Sequence, residues 1–155
     1  MLKLRFTLNL FAILVLLSSV AYAQEATKEH KDSLNSIVQK YYDLNVKVFQ
    51  ANSTVDDIDH VFDLFTEDFT YVHPKYGGTY SRQDLYDGYV RNQQNGAYNG
   101  SITGIKIDNQ ITGLNAVVTE KRFIERTEIG AKEGNPEMTL FEFKEGKISR
   151  IYEYW

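Results

Sequence analysis

Apart from one early strand, the hydrophobic period of this chain changes from helix to strand at Gly100, and that change limits the possible folds more than any other feature. Before Gly100 the apolar residues recur at helical spacing. Leu34, Ile37, Val38, Tyr41, Tyr42, Val48 and Phe49 form one face of a long helix, capped by Asp32 or Ser33 and ending near Ala51. Thr54-Val55-Asp56-Asp57 has the form of a capping box with Asp in place of Glu. It opens a second helix with Val55, Ile58, Val61, Phe62 and Phe65 on one face, ended by Thr66-Glu67-Asp68. Phe69–His73 has strand composition and stops at Pro74. Pro74 to Tyr80 reads as a loop around Gly77-Gly78. Ser81-Arg82-Gln83-Asp84 is a second box, opening a third helix with Leu85, Tyr86, Tyr89 and Val90 on its buried side. Asn92 to Gly100 is a loop.

After Gly100 the pattern is that of strands. Ser101–Thr112 alternates through Ile102, Ile105, Ile107 and Ile111, and Leu114–Ile129 is a long β-rich run. Ala131 to Pro136 reads as a turn. Glu137–Lys144 and Lys147–Trp155 form a hairpin around Glu145-Gly146. Three helices segregated from a mainly antiparallel sheet make the class α+β, with the helices covering the apolar face of the sheet.

The first 23 residues have a different role. Lys3 and Arg5 precede an apolar stretch from Leu8 to Val20, and Ala21-Tyr22-Ala23 places small residues before a cut at Gln24. These are the three regions of a secretory signal peptide, and the apolar stretch is short for a membrane span. The expected protein is therefore secreted or periplasmic, with no membrane attachment after cleavage. Gln24–Lys31 is expected to be a flexible leader and 32–155 the folded domain. Cleavage leaves 132 of the 155 residues, enough for one domain with its own core. The chain has no cysteine, so neither disulfides nor thiol chemistry are available to it.

Of 17 Lys and Arg against 21 Asp and Glu, only Lys3 and Arg5 fall in the signal, so the mature chain carries 15 against 21, a net −6. Without a basic block, an acidic domain is a poor ligand for nucleic acid. His30, His60 and His73 lack metal-ligand spacing, and neither a phosphate-binding loop nor a Gly-x-Ser-x-Gly elbow is present. No cofactor or metal is expected. Ten of the eleven tyrosines lie in the mature chain, enough amphipathic rings to line a wet pocket as well as a core.

Three segments carry a resemblance to a known family: Ile37-Val38-Gln39-Lys40-Tyr41-Tyr42, the run from Phe62 to Pro74, and Phe141-Glu142-Phe143-Lys144-Glu145-Gly146-Lys147-Ile148. In this order they resemble the nuclear transport factor 2-like superfamily, which includes SnoaL-like cyclases and ketosteroid isomerases. The resemblance extends from about Leu34 to Trp155, and Phe62–Pro74 is its most specific part. It implies a cone-shaped α+β barrel, with a curved sheet wrapped round the first helix and a pocket at the open end.

The same resemblance implies roles for individual residues. His73 stands immediately before proline, where the isomerases hold the carboxylate that moves a proton, and an imidazole can also relay one. Tyr41 matches the tyrosine that donates to a developing oxyanion. Thr139 stands where those enzymes keep a protonated acid, so the oxyanion pair is incomplete. The face carrying Glu120 and Arg122 is turned toward the cavity, unless a bulge reverses its parity and leaves both in solvent. Arg82, which opens the third helix, reaches either the cavity mouth or the surface. Tyr71, Tyr86, Tyr152 and Trp155 line the pocket, the core or a dimer face.

The expected function is binding of a small hydrophobic or amphipathic molecule. One alternative is a cofactor-free isomerase, cyclase or dehydratase using His73 and Tyr41. Another is a protein-interaction domain that forms a homodimer through the sheet face.

Overall fold

The computed structural model describes residues 26–155, so the export signal read in Met1–Ala23 lies outside the described residues. The elements are α1 (Lys28–Val48), α2 (Val55–Phe62), β1 (Phe65–His73), β2 (Gly78–Ser81), α3 (Arg82–Gln94), β3 (Ile102–Thr112), β4 (Ala116–Thr127), β5 (Gly130–Glu133), β6 (Glu137–Lys144) and β7 (Lys147–Glu153). The strands form one curved, open sheet in the order β2-β1-β7-β6-β4-β3, with β5 paired to the far end of β4. Every pairing is antiparallel except β1 with β7, which lie at opposite ends of the domain sequence. This is the expected α+β arrangement, with the three helices packed on the sheet.

Both capping boxes close. The Thr54 and Ser81 hydroxyls accept from the amides of Asp57 and Asp84, whose carboxylates accept from the amides of the capping residues. The first helix begins earlier than expected, inside the stretch read as a leader. Thr27 is its cap, accepting from the His30 amide at 3.2 Å, while Asp32 sits within the helix and pairs with Lys28 at 3.3 Å. The His30 ring also meets the Leu114 carbonyl at 2.6 Å, which fastens the first turn to the β3–β4 connection.

Three strand boundaries differ from the sequence reading. The second helix stops at Phe62, because the Leu64 carbonyl accepts from the Ile148 amide at 2.9 Å and Phe65 joins the sheet. Pairing with β7 overrides the helical spacing that placed Phe65 on α2. Gly78–Ser81 is a strand rather than loop, since the turn at Pro74–Tyr76 folds it back on β1. Gly130–Glu133 is a strand because the reversal occurs two residues earlier, and Gly134 then bonds the Phe123 carbonyl at 2.8 Å.

The core lies between α1 and the concave face of the sheet. Tyr41 and Tyr42 meet the ring of Phe141 edge-on at 5.4 and 5.6 Å, and Phe65 stacks on Phe69 at 3.9 Å. Phe141 is fully buried between the helix and β6. Its replacement by Ala leaves a void that the surrounding rings cannot close. Phe141→Ala should therefore lose about 3–5 kcal/mol in denaturant unfolding, with the m-value unchanged.

Candidate functional site

The site starts from the end of β1. Pro74 cannot donate to a strand ladder, so the chain leaves the sheet in a 3-10 turn that Gly77 closes at φ 104°. His73 is left at the sheet's end, opposite Gly78, and its side chain turns inward. Its ring lies 4.3 Å from that of Tyr76 and meets Trp155 edge-on at 4.5 Å. Beside it opens a cavity of about 270 Å³, walled by Tyr71, Tyr80, Tyr89, Tyr98 and Trp155, with Asp84, Arg91 and Asn92 of α3 along one side.

His73 is only 2% exposed, yet neither ring nitrogen has a hydrogen-bond partner among the described residues. Burial holds the imidazole below its ordinary value. The negative charge of Glu153 works against that shift and the ammonium of Lys75 works with it. At neutral pH the ring is uncharged and offers one donor and one acceptor. Lys75 lies over the faces of Tyr76 and Trp155, 5.7 and 5.5 Å from their centres, so the rim already carries a cation.

Beneath the cup the interior is polar and paired. Thr139 donates to Glu153 Oε2 at 2.7 Å, and the Trp155 indole N–H donates to the same oxygen at 2.8 Å. Lys121, 2% exposed, pairs with Glu137 and lies 4.4 Å from the Phe123 ring and 5.4 Å from that of Trp155. Tyr42 and Thr119 share a hydroxyl bond of 2.6 Å, and Tyr89 donates to Asn45 Oδ1 at 2.6 Å. Burial pushes the hydroxyls of Tyr41, Tyr71 and Tyr89 well above the usual tyrosine range, so all three stay protonated. Among the described residues no group of three or more His, Asp or Glu side chains is placed to hold a metal ion.

Of the residues singled out in the sequence, His73, Tyr71 and Trp155 meet at this cavity. Tyr41 lies one layer below, packed on Tyr42, Phe65 and Phe141, and does not share the cavity wall with His73. Thr139 is buried in the layer beneath, at a cross-strand pair with Glu153. Arg82 donates to the Phe62 carbonyl at 3.2 Å and lies over the Phe62 ring, away from the cavity. Tyr86 donates to Asp59 at 2.7 Å on the far side of α3.

The face assigned to Glu120 and Arg122 is corrected. Val117, Thr119 and Lys121 are the buried, inward residues of β4. Glu120 and Arg122 point outward, and Arg122 pairs with Asp108 at 2.5 Å. A register shift between Ile107 and Asn109 lies beside this stretch. The outward face also carries an apolar row. Ile111, Val118, Leu140, Tyr152 and Val72 are successive cross-strand partners, and Ile111 is 69% exposed.

Sequence reasoning missed Tyr76, Tyr80 and Tyr98, which lie in or beside segments read as loop, and Tyr89, which it placed in the core. Their only signal was the unusual number of tyrosines.

No protein-family model and no curated protein matches the sequence. Solved structures do match in shape. An NTF2-like protein from Anabaena variabilis is 17% identical, covers 85% of this chain and 94% of its own, and has a TM-score of 0.57. A protein of ketosteroid isomerase-like fold from Catenulispora acidiphila, solved in complex with trimethylamine, is 18% identical over 77% of this chain and 84% of its own, with a TM-score of 0.52. A putative polyketide cyclase from Xanthomonas campestris is 17% identical over 81% and 92%, with a TM-score of 0.50. At such identities likeness establishes architecture, and chemistry has to be argued from the site. Three helices on a curved open sheet, with an aromatic cup at its end, give this chain the nuclear transport factor 2-like cone fold shared with the ketosteroid isomerase-like proteins.

Proposed function

We propose that the domain binds a small, uncharged amphipathic molecule in the His73 cup, and that it does so outside the cytoplasm, where the N-terminal signal would direct it. One observation carries this reading: a buried imidazole whose two nitrogens are unpartnered and which faces an aromatic cavity. Leaving a buried polar group unpaired costs about 1–3 kcal/mol, so such groups normally find partners inside the fold. Both nitrogens are covered in the free protein, with the Tyr76 and Trp155 rings 4.3 and 4.5 Å away, so a ligand hydroxyl or carbonyl would supply the missing partner by displacing a neighbouring ring while its apolar body packed on the tyrosines. The Lys75 ammonium over Tyr76 and Trp155 disfavours a cationic ligand at that position. In this respect the cup differs from what would suit an amine such as the one bound by the Catenulispora protein. A proton-transfer enzyme is less well supported, because Tyr41 and His73 do not bracket one cavity.

Phenol is a minimal probe, read through the fluorescence of Trp155, the chain's single tryptophan. Binding on the order of millimolar is expected for so small a molecule. His73→Phe should weaken it about fivefold, the worth of one net hydrogen bond, and should raise the stability of the free protein by about 1 kcal/mol. Opposite signs in the two measurements distinguish a ligand-facing histidine from a structural one. Loss of stability without loss of binding would sink the reading.

The pH dependence has a definite sign. Protonation removes the acceptor, and the imidazole titrates below its ordinary value. Phenol affinity should hold level from pH 8 down to about 6.5 and fall only below that. A fall centred above pH 7 would contradict the assignment.

The outward apolar row favours a second reading, compatible with the first: two copies associate through their sheet faces. Ile111 is exposed and Val118, Leu140, Tyr152 and Val72 are half-buried, and an apolar row with this much surface open to solvent is a candidate interaction surface. The expected result is a dimer in sedimentation equilibrium, dissociated by Leu140→Glu at the centre of the row. A monomer at about 100 μM, a concentration well above the micromolar affinities of specific pairs, would exclude it.

A further inference from the structure

Tyr98 is the wall of two cavities. On one side is the His73 cup. On the other is a cleft of about 280 Å³ between the end of α1 and the start of β3, walled by Phe49, Ala97, Ile102 and Phe123. The Tyr98 ring is wedged between a residue of each, 5.6 Å from Phe49 of the cleft and 6.2 Å from Tyr89 of the cup. Behind it the two back walls meet at one side chain, because the Lys121 ammonium touches both Phe123 of the cleft and Trp155 of the cup. At about 280 and 270 Å³ each space falls just short of the roughly 300–1,000 Å³ typical of ligand pockets, and joined they lie within it.

The backbone around Tyr98 suits a movable partition. Gly96 and Gly100 bracket it with φ of +69° and +75°, conformations that other residues rarely adopt. Ala97 donates to the Asn92 carbonyl and Gly100 to the Phe49 carbonyl, both at 2.9 Å, so the segment is fastened at its ends. Between them, among the described residues, the Tyr98 and Asn99 amides make no backbone hydrogen bond. The Asn99 side chain accepts from the Ser101 amide at 2.9 Å, which leaves Tyr98 the residue of the span set between the two glycine-flanked ends, where local opening costs least.

We propose that the cleft beyond Tyr98 is a second chamber of the same binding site, that it takes the apolar tail of an elongated amphipathic ligand, and that Tyr98 sets how long a tail is admitted. The polar end of that ligand sits at His73 and its tail runs past Lys121 into the space between Phe49, Ile102 and Phe123. This rests on the binding reading given above, and the test separates the two.

Phenol and 4-pentylphenol are titrated against the full chain, with Trp155 fluorescence as the readout. The native protein should bind 4-pentylphenol about tenfold more tightly than phenol, well below the limit that burying the whole pentyl tail would set. Tyr98→Ala removes the partition and should widen the gap by about a further tenfold, with phenol changing less than twofold. Ala97→Phe, on an exposed backbone position at the cleft, should fill the second chamber and return 4-pentylphenol to within about twofold of phenol. This variant keeps the proposal testable if Tyr98→Ala fails to fold. If both probes bind with equal affinity to every variant, or if Ala97→Phe leaves the tail preference intact, the second chamber is refuted and the His73 cup stands. If neither probe binds, both readings fall.

Discussion

Everything in this structure depends on the fit of one helix face into a curved sheet. Tyr41 and Tyr42 sit side by side on α1 and close on Phe141 from both sides, at the point of greatest burial. Two large rings at adjacent positions fill the depth of the cone with side chain. Their hydroxyls then have to be satisfied inside the protein, which brings Thr119 and the polar layer around Glu153 and Lys121 into the interior. The middle is solid, and the cavity that His73 lines opens at the mouth, where Pro74 and Gly77 turn the chain away from the sheet.

That origin explains the unusual character of the site. The polar layer beneath is paired throughout: Glu153 holds Thr139 and Trp155, Lys121 holds Glu137, and Asn45 holds Tyr89. Breaking one partner out of such a network leaves the other buried and unpaired, which is costly. The layer is therefore a rigid floor and a poor place for a reaction that must move charge. His73 is the exception, a polar group at the boundary between floor and opening with nothing to bond.

Much of the fold was legible from the chain. The two capping boxes, the period change after Gly100 and the hairpin at Glu145-Gly146 depend on local residues, and local residues are what a sequence displays. The failures were all tertiary. Phe65 has helical spacing relative to Phe62, and only β7, over eighty residues away, claims it for the sheet. The sequence leaves the parity of Glu120 and Arg122 open between the cavity and solvent, because alternation fixes which residues share a face but not which face is buried, and the structure turns both outward. Thr139 stands opposite Glu153 on the neighbouring strand and donates to its carboxylate, a cross-strand pair that no linear motif records. His73 ends β1, Tyr71 precedes it on the same face and Trp155 lies just past β7, so strand ends bring the three to one cavity. Tyr98 is not legible in this way, because nothing in a loop's composition says which way its side chain turns.

The cup and the outward apolar row make independent demands on the same sheet. β1, β6 and β7 contribute inward residues to the cup or its floor and outward residues to the row, alternating along each strand. A substitution on one face leaves the other chemically untouched, but both faces share the backbone register. Association across the row would thus hold β1 and β7 in place and with them His73 and Trp155, the two rings that shape the opening. Any adjustment of the site then falls to the helix side, where Tyr98 lies between two glycines of positive φ. A site with one wall fixed by a sheet and the other free to move can keep the geometry of its polar contact while adjusting its volume. This physical arrangement suits one head group carried on tails of different length better than one rigid substrate.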